Sequence, residues 1–387
     1  MINYGRHCVD SKDLSSIKNV LNSDYLTTGP YLKRFEESLG KFFNAKHVLA
    51  VTNGSVALHL AGKALEWNKQ THVITTPITF VSTINSIILN NANPILADID
   101  KNTFTIDPNL VEHEVKKIRK KKGKKISVIG VDYAGHPCDW KGLKYLSEKY
   151  NLSLVNDNCH ALGANYLKSS DYAAKFADIV TQSFHPVKNI TTGEGGAVIT
   201  RSYDLFKKIQ TYRSHCIIKN NKTKNIGRWR YDVADLGFNY RINDIECALG
   251  LSQLKKINKF LFKRRKIAEI YNNHLSNFQD CITPSIKENL GIKHAYHLYP
   301  FQINFKSLKI SKRKFFNFFY KNKVNLQVHY VPVYKFSCFK SYKFFKSKNF
   351  PIAENFYNNE VSLPIYYGLK NKNILKIIRL LRKVLIK

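Results

Sequence analysis

Ser183-Phe184-His185-Pro186-Val187-Lys188-Asn189-Ile190-Thr191-Thr192-Gly193-Glu194-Gly195-Gly196 is the stretch on which the fold and the chemistry turn. The apolar run Ile179–Phe184 reads as a strand that delivers Lys188 into a glycine-rich turn. A lysine nucleophile needs partial shielding and neighbours that lower its pKa, so that a free amine exists at neutral pH and can condense with an aldehyde. With 62 Lys and Arg residues in the chain, most lysines are solvated surface groups, and only the company of Lys188 sets it apart.

Asp157 lies 31 residues upstream, just beyond the apolar run Leu152–Val155. Asn156-Asp157-Asn158-Cys159-His160 then reads as a polar cluster at a strand end, where open α/β sheets bind ligands. A carboxylate and a lysine so placed suit pyridoxal phosphate (PLP), whose pyridine nitrogen the carboxylate keeps protonated. A third piece, Val48 to Ala61, reads as a strand, an Asn53-Gly54 turn and a helix beginning near Ser55. Backbone N–H groups and the helix dipole at such a start form a phosphate seat.

In this order the pieces are specific, and from Tyr4 to roughly Pro364 the chain resembles the DegT/DnrJ/EryC1/StrS sugar aminotransferases, PLP enzymes of fold type I. Leu26-Thr27-Thr28-Gly29-Pro30, Thr76-Pro77-Ile78-Thr79-Phe80, Leu236-Gly237-Phe238-Asn239-Tyr240-Arg241 and Val328-His329-Tyr330-Val331-Pro332 belong to the same likeness. The resemblance implies that Lys188 holds the cofactor aldehyde and moves protons, that Asp157 faces the pyridine nitrogen, and that His160 lies near the phenolic oxygen. It implies phosphate contacts from Gly54, Ser55 and Ser183, a ring contact from Phe80, and a homodimer in which Asn239 reaches the partner's phosphate. Tyr4, Asp24, Tyr25, Leu26 and Thr27, and Gln327, Val328, His329 and Tyr330, match regions that line the sugar-nucleotide pocket. Read without the resemblance, His160 is equally a buried histidine satisfied by backbone, Phe80 a core residue, and Cys159 a small packing residue rather than a reactive thiol.

Within the family the likeness is greatest to aminotransferases of pseudaminic-acid biosynthesis, through Val131–Gly135, Ser183-Phe184-His185 and Gln327–Tyr330. These imply transfer of an amino group from an amino acid, L-glutamate, to C4 of a UDP-linked 4-keto-6-deoxy-N-acetylhexosamine. His136-Pro137-Cys138-Asp139 and Gly193 look more like the family at large, which keeps another 3- or 4-keto nucleotide sugar as the alternative. A dehydratase on this fold carries histidine in place of the lysine, and Lys188 argues against it.

Outward from these motifs, short apolar runs alternate with helical patterns: Val48–Val51, Val73–Thr75, Pro94–Ala97, Ile126–Val131, Leu152–Val155, Ile179–Phe184 and Ala197–Thr200. That alternation predicts an α/β fold, a mostly parallel sheet with helices on both faces. Leu14, Ile17, Val20 and Leu21 behind Asp13 predict an opening amphipathic helix. After Leu254 long Lys/Phe/Tyr-rich helical stretches with strands at His297–Ile303 and Asn325–Tyr330 suggest a smaller α+β domain. The expected division is 1–255 and 256–387. Ile374–Leu385 reads as a basic amphipathic helix docked on that smaller domain.

Lys and Arg outnumber Asp and Glu by 62 to 28, giving +34, and raise a regulatory, nucleic-acid-binding reading. The densest run, Lys116–Lys125, reads instead as a solvated helix end and turn, and no recognition motif accompanies it. Seven cysteines without a C-x-x-C pair read as reduced thiols with no metal site. No apolar run reaches the length of a membrane span, and the first residues hold no apolar leader core, so the expected compartment is the cytoplasm.

Overall fold

Alternate residues of the apolar runs go to opposite sides of one sheet. Val48 and Ala50 join one hydrophobic core while Leu49 and Val51 join another; Ile126 and Val128 divide from Ile129 and Val131 in the same way. The computed structural model describes all residues except 121–122, 220–226, 228, 279–280, 284–290, 341–349 and 387.

The sheet contains β1 (His47–Val51), β2 (Thr71–Thr75), β3 (Asn93–Leu96), β4 (Lys125–Val131), β5 (Ser153–Asp157), β6 (Ile179–Ser183) and β7 (Gly196–Thr200), in the order β1-β7-β6-β5-β4-β2-β3. Neighbours from β3 to β6 are parallel, and β7 runs antiparallel to both β6 and β1. The antiparallel β6–β7 connection is what turns residues 184–195 back across the strand ends. Between and around the strands lie α1 (Ser11–Leu21), α2 (Pro30–Phe43), α3 (Gly54–Ala64), α4 (Val81–Leu89), α5 (Pro108–Arg119), α6 (Trp140–Tyr150), α7 (Tyr172–Phe176) and α8 (Tyr203–Arg213). A short hairpin, β8 (Ile217–Ile218) and β9 (Asp232–Val233), precedes α9 (Asp244–Leu254) and α10 (Ile257–Leu275).

The cap of α1 is Asp10, three residues before the Asp13 behind which the periodicity set the helix. Asp10 Oδ1 accepts from the N–H of Lys12 and Asp13, and Asp13 Oδ2 accepts from the N–H of Asp10, a reciprocal box. Asp13 is buried inside the helix because Lys256 Nζ (2.6 Å) and Gln253 Nε2 (2.8 Å) also reach it. In α5, Lys116 and Lys117 of the basic run pair with Glu112 (3.2 Å) and Glu114 (2.7 Å) on exposed faces. Lys121 and Lys122 of that run lie outside the described residues.

A three-stranded antiparallel sheet follows: β10 (Ile282–Thr283), β11 (Tyr299–Ile303) and β12 (Glu360–Leu363), in that order. With α10, α11 (Lys312–Lys321) and α13 (Asn371–Leu385) it encloses a third core around Tyr271, Phe301, Phe315 and Leu381; α12 (Pro351–Asn359) packs Phe356 into the second core. Six apolar residues of α13, from Ile374 to Leu385, are buried there, so that helix docks on its own chain. No helix among the described residues is long and apolar enough to cross a membrane.

The expected strand Asn325–Tyr330 is instead an extended segment touching its neighbours at single bridges, Ile2 with Val324 and Gln327 with Ser362. Side chains take the place of a ladder at its end: the Tyr133 hydroxyl donates to the His329 carbonyl, and the His329 N–H donates to Glu360 Oε2 (3.1 Å). Ile2 exchanges backbone bonds with residues 323 and 325, and Tyr4 accepts from the Ile365 N–H (3.0 Å). The first residues of the chain thereby sit on the last core.

Candidate active site

β5 and β6 end side by side, and the residues just beyond them form the floor of a cavity of about 500 Å³. Asp157, 7% exposed, is the last residue of β5. Its Oδ2 accepts from Thr83 Oγ1 (3.1 Å) and its Oδ1 from the Cys159 N–H (3.3 Å). Thr83 is in turn bonded to Thr79 (2.8 Å), so α4 fixes the direction in which the carboxylate points.

Lys188 stands in the β6–β7 connection, which its own backbone makes rigid. Phe184 N–H donates to the Gly195 carbonyl (2.8 Å), Thr192 N–H to the Phe184 carbonyl (3.0 Å), and Lys188 N–H to the His185 carbonyl (2.9 Å). Asn189 Nδ2 ties the turn to the Leu162 carbonyl (3.1 Å). Burial holds the Lys188 amine below the usual lysine range, and the neighbouring Asp157 only partly opposes this. Burial pushes the Cys159 thiol up, so it is a neutral thiol on the cavity wall rather than a reactive thiolate.

The start of α3 closes one end. Asn53 Oδ1 accepts from the Val56 N–H (2.9 Å), while the amides of Gly54 and Ser55 make no hydrogen bond among the described residues. A Cβ at Gly54 would stand 2.8 Å from Ser183 Cβ and 3.3 Å from Cys159 Sγ, so only glycine lets the helix start approach β6 this closely. Ser55 Oγ lies 2.6 Å from Ser82 Oγ.

Aromatic and imidazole rings line the far side. Phe80 is 56% exposed, which removes the core reading, and its ring centroid lies 5.9 Å from that of Tyr330. His160 is buried; Nδ1 accepts from the Ala134 N–H (3.2 Å) and Nε2 faces the Tyr330 hydroxyl (3.0 Å). Because Nδ1 accepts, the ring proton sits on Nε2, and burial followed by the charge of Lys188 keeps the ring neutral. Backbone thus satisfies one nitrogen of His160, and the residue also lines the cavity.

Tyr4, Gly54, Ser55, Phe80, Asp157, His160, Ser183, Lys188, His329 and Tyr330 come together on this one cavity. Asp24, Tyr25, Leu26, Thr27, Asn239, Gln327 and Val328 lie outside it in the single chain; the first four and Asn239 are exposed. Sequence reasoning passed over Thr83 and His297, both of which line it. Thr83 stands three residues after Phe80 and was within reach of helical spacing; nothing local marks His297, whose ring lies 4.4 Å from that of His160.

Measured against PLP, these residues fit: free amides at a helix start for the phosphate, a buried carboxylate for the ring nitrogen, and a lysine whose burial favours the free amine. Among the described residues no group of His, Cys, Asp and Glu could hold a metal ion.

Comparison with known proteins agrees with this geometry. The model of the DegT/DnrJ/EryC1/StrS aminotransferase family matches residues 7–382. The chain is 34% identical to the Methanocaldococcus jannaschii protein MJ1066 over 98% of its length and 96% of that protein. It is 36% identical over 373 residues to a UDP-4-amino-4,6-dideoxy-N-acetyl-beta-L-altrosamine transaminase of Campylobacter jejuni, covering 96% of this chain and 94% of the relative. Among solved structures it resembles Helicobacter pylori PseC, an aminotransferase involved in the biosynthesis of pseudoaminic acid, with TM-score 0.89 and 32% identity over 99% and 98% of the two chains. Spr1654 of Streptococcus pneumoniae, solved in its PLP form, gives TM-score 0.89 and 25% identity over 98% of this chain and 97% of that one.

Proposed function

This chain belongs to the DegT/DnrJ/EryC1/StrS aminotransferase family, and from that premise we propose that it transfers an amino group from L-glutamate to C4 of a UDP-linked 4-keto-6-deoxy-N-acetylhexosamine. PLP is the cofactor of this family. The observation that carries the reading is the meeting of Lys188, Asp157 and the start of α3 on one cavity, in a chain similar over nearly its whole length to transaminases of that sugar class.

When bound, PLP supplies an aldehyde for the migrating nitrogen and a ring that draws off electrons. Asp157 would hold the ring nitrogen in its protonated form, with Thr83 aiming the carboxylate. The amides of Gly54 and Ser55, with Ser183, would hold the phosphate. Lys188 Nζ would take the proton from the α-carbon of the amino donor and pass it to the cofactor carbon, and in the return half would carry a proton from there to C4 of the sugar. Phe80 and Tyr330 limit water on the open side, and Tyr4 and His329 face the sugar.

The departure at His136-Pro137-Cys138-Asp139 does not count against this substrate, because none of the four lines the cavity: Cys138 is buried in the core and Asp139 caps α6. We also propose a homodimer. Asn239 is exposed, and Trp229, Val233 and Leu236, a few residues before it in the chain, are exposed apolar residues. A second copy seated there would let Asn239 reach the partner's phosphate, and Asp24–Thr27 would border a shared pocket. The proposed division of the chain falls at 255/256, with the first residues crossing onto the C-terminal core, and the proposed compartment is the cytoplasm, which holds both substrates.

The test is direct. Protein loaded with PLP should lose the cofactor's visible band on adding glutamate, regain it on adding the UDP-4-keto sugar, and yield the aminated sugar by mass spectrometry. Lys188→Ala should bind PLP and do none of this. A wild-type protein that responds to glutamate but to no 4-keto sugar would overturn the substrate and leave the reaction class.

A further inference from the structure

Behind the cavity wall three side chains run from His329 into the interior. His329 Nδ1 lies 2.9 Å from Ser362 Oγ, and Ser362 Oγ lies 2.5 Å from Glu360 Oε1. Glu360 and Ser362 are two apart on β12, so the strand puts both on one face. The His329 N–H donates to Glu360 Oε2 and the Tyr133 hydroxyl to the His329 carbonyl, which fixes the backbone that carries the ring. Nε2 of His329 makes no hydrogen bond among the described residues, and His329 lines the cavity.

A serine hydroxyl has one proton to give, and here it has two neighbours. We propose that Glu360 is a positioning residue which, through Ser362, decides whether Nδ1 or Nε2 of His329 bears the proton, and so whether the cavity meets a hydrogen-bond acceptor or a donor. An ionised Glu360 only accepts. Ser362 then donates to it and accepts from Nδ1–H, leaving Nε2 bare. A protonated Glu360 donates to Ser362, Ser362 donates to Nδ1, and Nε2 holds the ring proton. The change takes up one proton at Nε2; the Nδ1 proton passes to Ser362 Oγ and the Ser362 proton to Glu360 Oε1. One N–H and one O–H form, one N–H breaks, and Ser362 keeps a single O–H throughout.

The surroundings place this change near neutral pH. Burial pushes the Glu360 carboxyl up to about 8, against the pull of Ser362 and Lys312. Lys312, at the start of α11, is drawn down to about 8 by burial, with the charge of Glu360 opposing. Tyr133 and Tyr330 also face Glu360, and burial drives both phenols upward, so they stay neutral. Around His329, burial and then Lys188 take its own ring down to about 3. Burial likewise holds His160 and His297 well below the usual range, and Tyr4 is raised. Lys188 is engaged by the cofactor in the holoenzyme. That leaves the Glu360–Lys312 pair as the group that titrates.

An acceptor at Nε2 suits a sugar hydroxyl or acetamido N–H, and a donor suits a keto oxygen or a carboxylate. The identity of that ligand rests on the proposed function, but the relay is tested without turnover. Side-chain 15N spectra of the PLP-loaded enzyme, without sugar, are followed from about pH 6 to 9.5. The His329 signal is assigned by its loss in His329→Gln. The Nε2–H tautomer should give way to Nδ1–H with a midpoint near 8, the ratio changing roughly tenfold per pH unit. Glu360→Gln and Ser362→Ala should each abolish the midpoint. One tautomer unchanged across the range in wild type overturns the proposal, whether or not either variant folds; so does an unaltered midpoint in Ser362→Ala.

Discussion

Gly54→Ala tests the phosphate seat by steric means alone. The added Cβ would stand 2.8 Å from Ser183 Cβ, whereas carbon pairs sit best at about 3.5–4.0 Å, so roughly 0.7–1.2 Å must be found. β6 is held on both sides by β5 and β7, so the start of α3 is what gives way. Overpacking of this kind costs about 1–3 kcal/mol, and if it is taken from the cofactor grip the dissociation constant for PLP rises about 5- to 150-fold. Gly54 has no left-handed backbone to strain, and alanine returns about 0.4–1 kcal/mol by restricting the unfolded chain. The loss of global stability should therefore be smaller than the loss of affinity. PLP binding measured by fluorescence quenching and unfolding measured in urea separate the two. Gly123→Ala, at φ 75° in open space, strains the backbone away from the cavity and should leave PLP affinity unchanged. A Gly54→Ala protein whose PLP affinity stays within twofold of wild type would refute the placement of the phosphate at this helix start.

Three further outcomes follow from the same geometry. Thr83→Val removes the donor to Asp157 Oδ2; hydrogen bonds to charged groups contribute about 1.5–3 kcal/mol to stability, so urea unfolding should show a loss of about that size, and kcat should fall as well because the side chain that aims the carboxylate is gone, as steady-state kinetics can check. Asp13→Ala leaves Gln253 without its buried acceptor and Lys256 with Asp10 alone, at 3.0 Å, and should cost about 1–3 kcal/mol in urea unfolding, while Lys33→Ala, whose exposed pair with Glu37 spans 4.0 Å, should change stability by less than about 0.5 kcal/mol. Burial takes His136 from 6.5 down to about 4; the unfolded chain then binds the extra proton between those values, so stability falls as pH drops from 6.5 towards 4. His136→Phe should recover up to about 3 kcal/mol at the acid end relative to its effect at pH 7, read from urea curves at each pH; an offset that does not vary with pH would dismiss the titration of His136.

The half of the cavity proposed for the cofactor was legible because it is local. Lys188, Asp157 and Gly54-Ser55 each stand at a strand end or helix start, and strand ends announce themselves by an apolar run stopping at polar or glycine residues. The capping of α1 was displaced by three residues because periodicity marks the apolar face, while Asp10 and Asp13 look alike to it; only the reciprocal bonds tell them apart. Asn325–Tyr330 has strand composition, yet its partners are Ile2 and Ser362, more than thirty residues away in either direction. Composition cannot reveal that these offer one bridge each.

Sequence by itself determined the alternating α/β order, through the spacing of its apolar runs, and the aminotransferase family, through the likeness of its motifs; it also put forward Lys188 and Asp157 as candidates for the cofactor. Tertiary structure decided the rest. It brought Tyr4 against the last core, set Thr83 behind Asp157, and gathered His160, His297, His329 and Tyr330 from segments far apart in the chain. It also buried Glu360 and Ser362 behind His329, where no local signal exists, because a side chain's dielectric surroundings and hydrogen-bond partners are properties of packed neighbours and not of sequence neighbours.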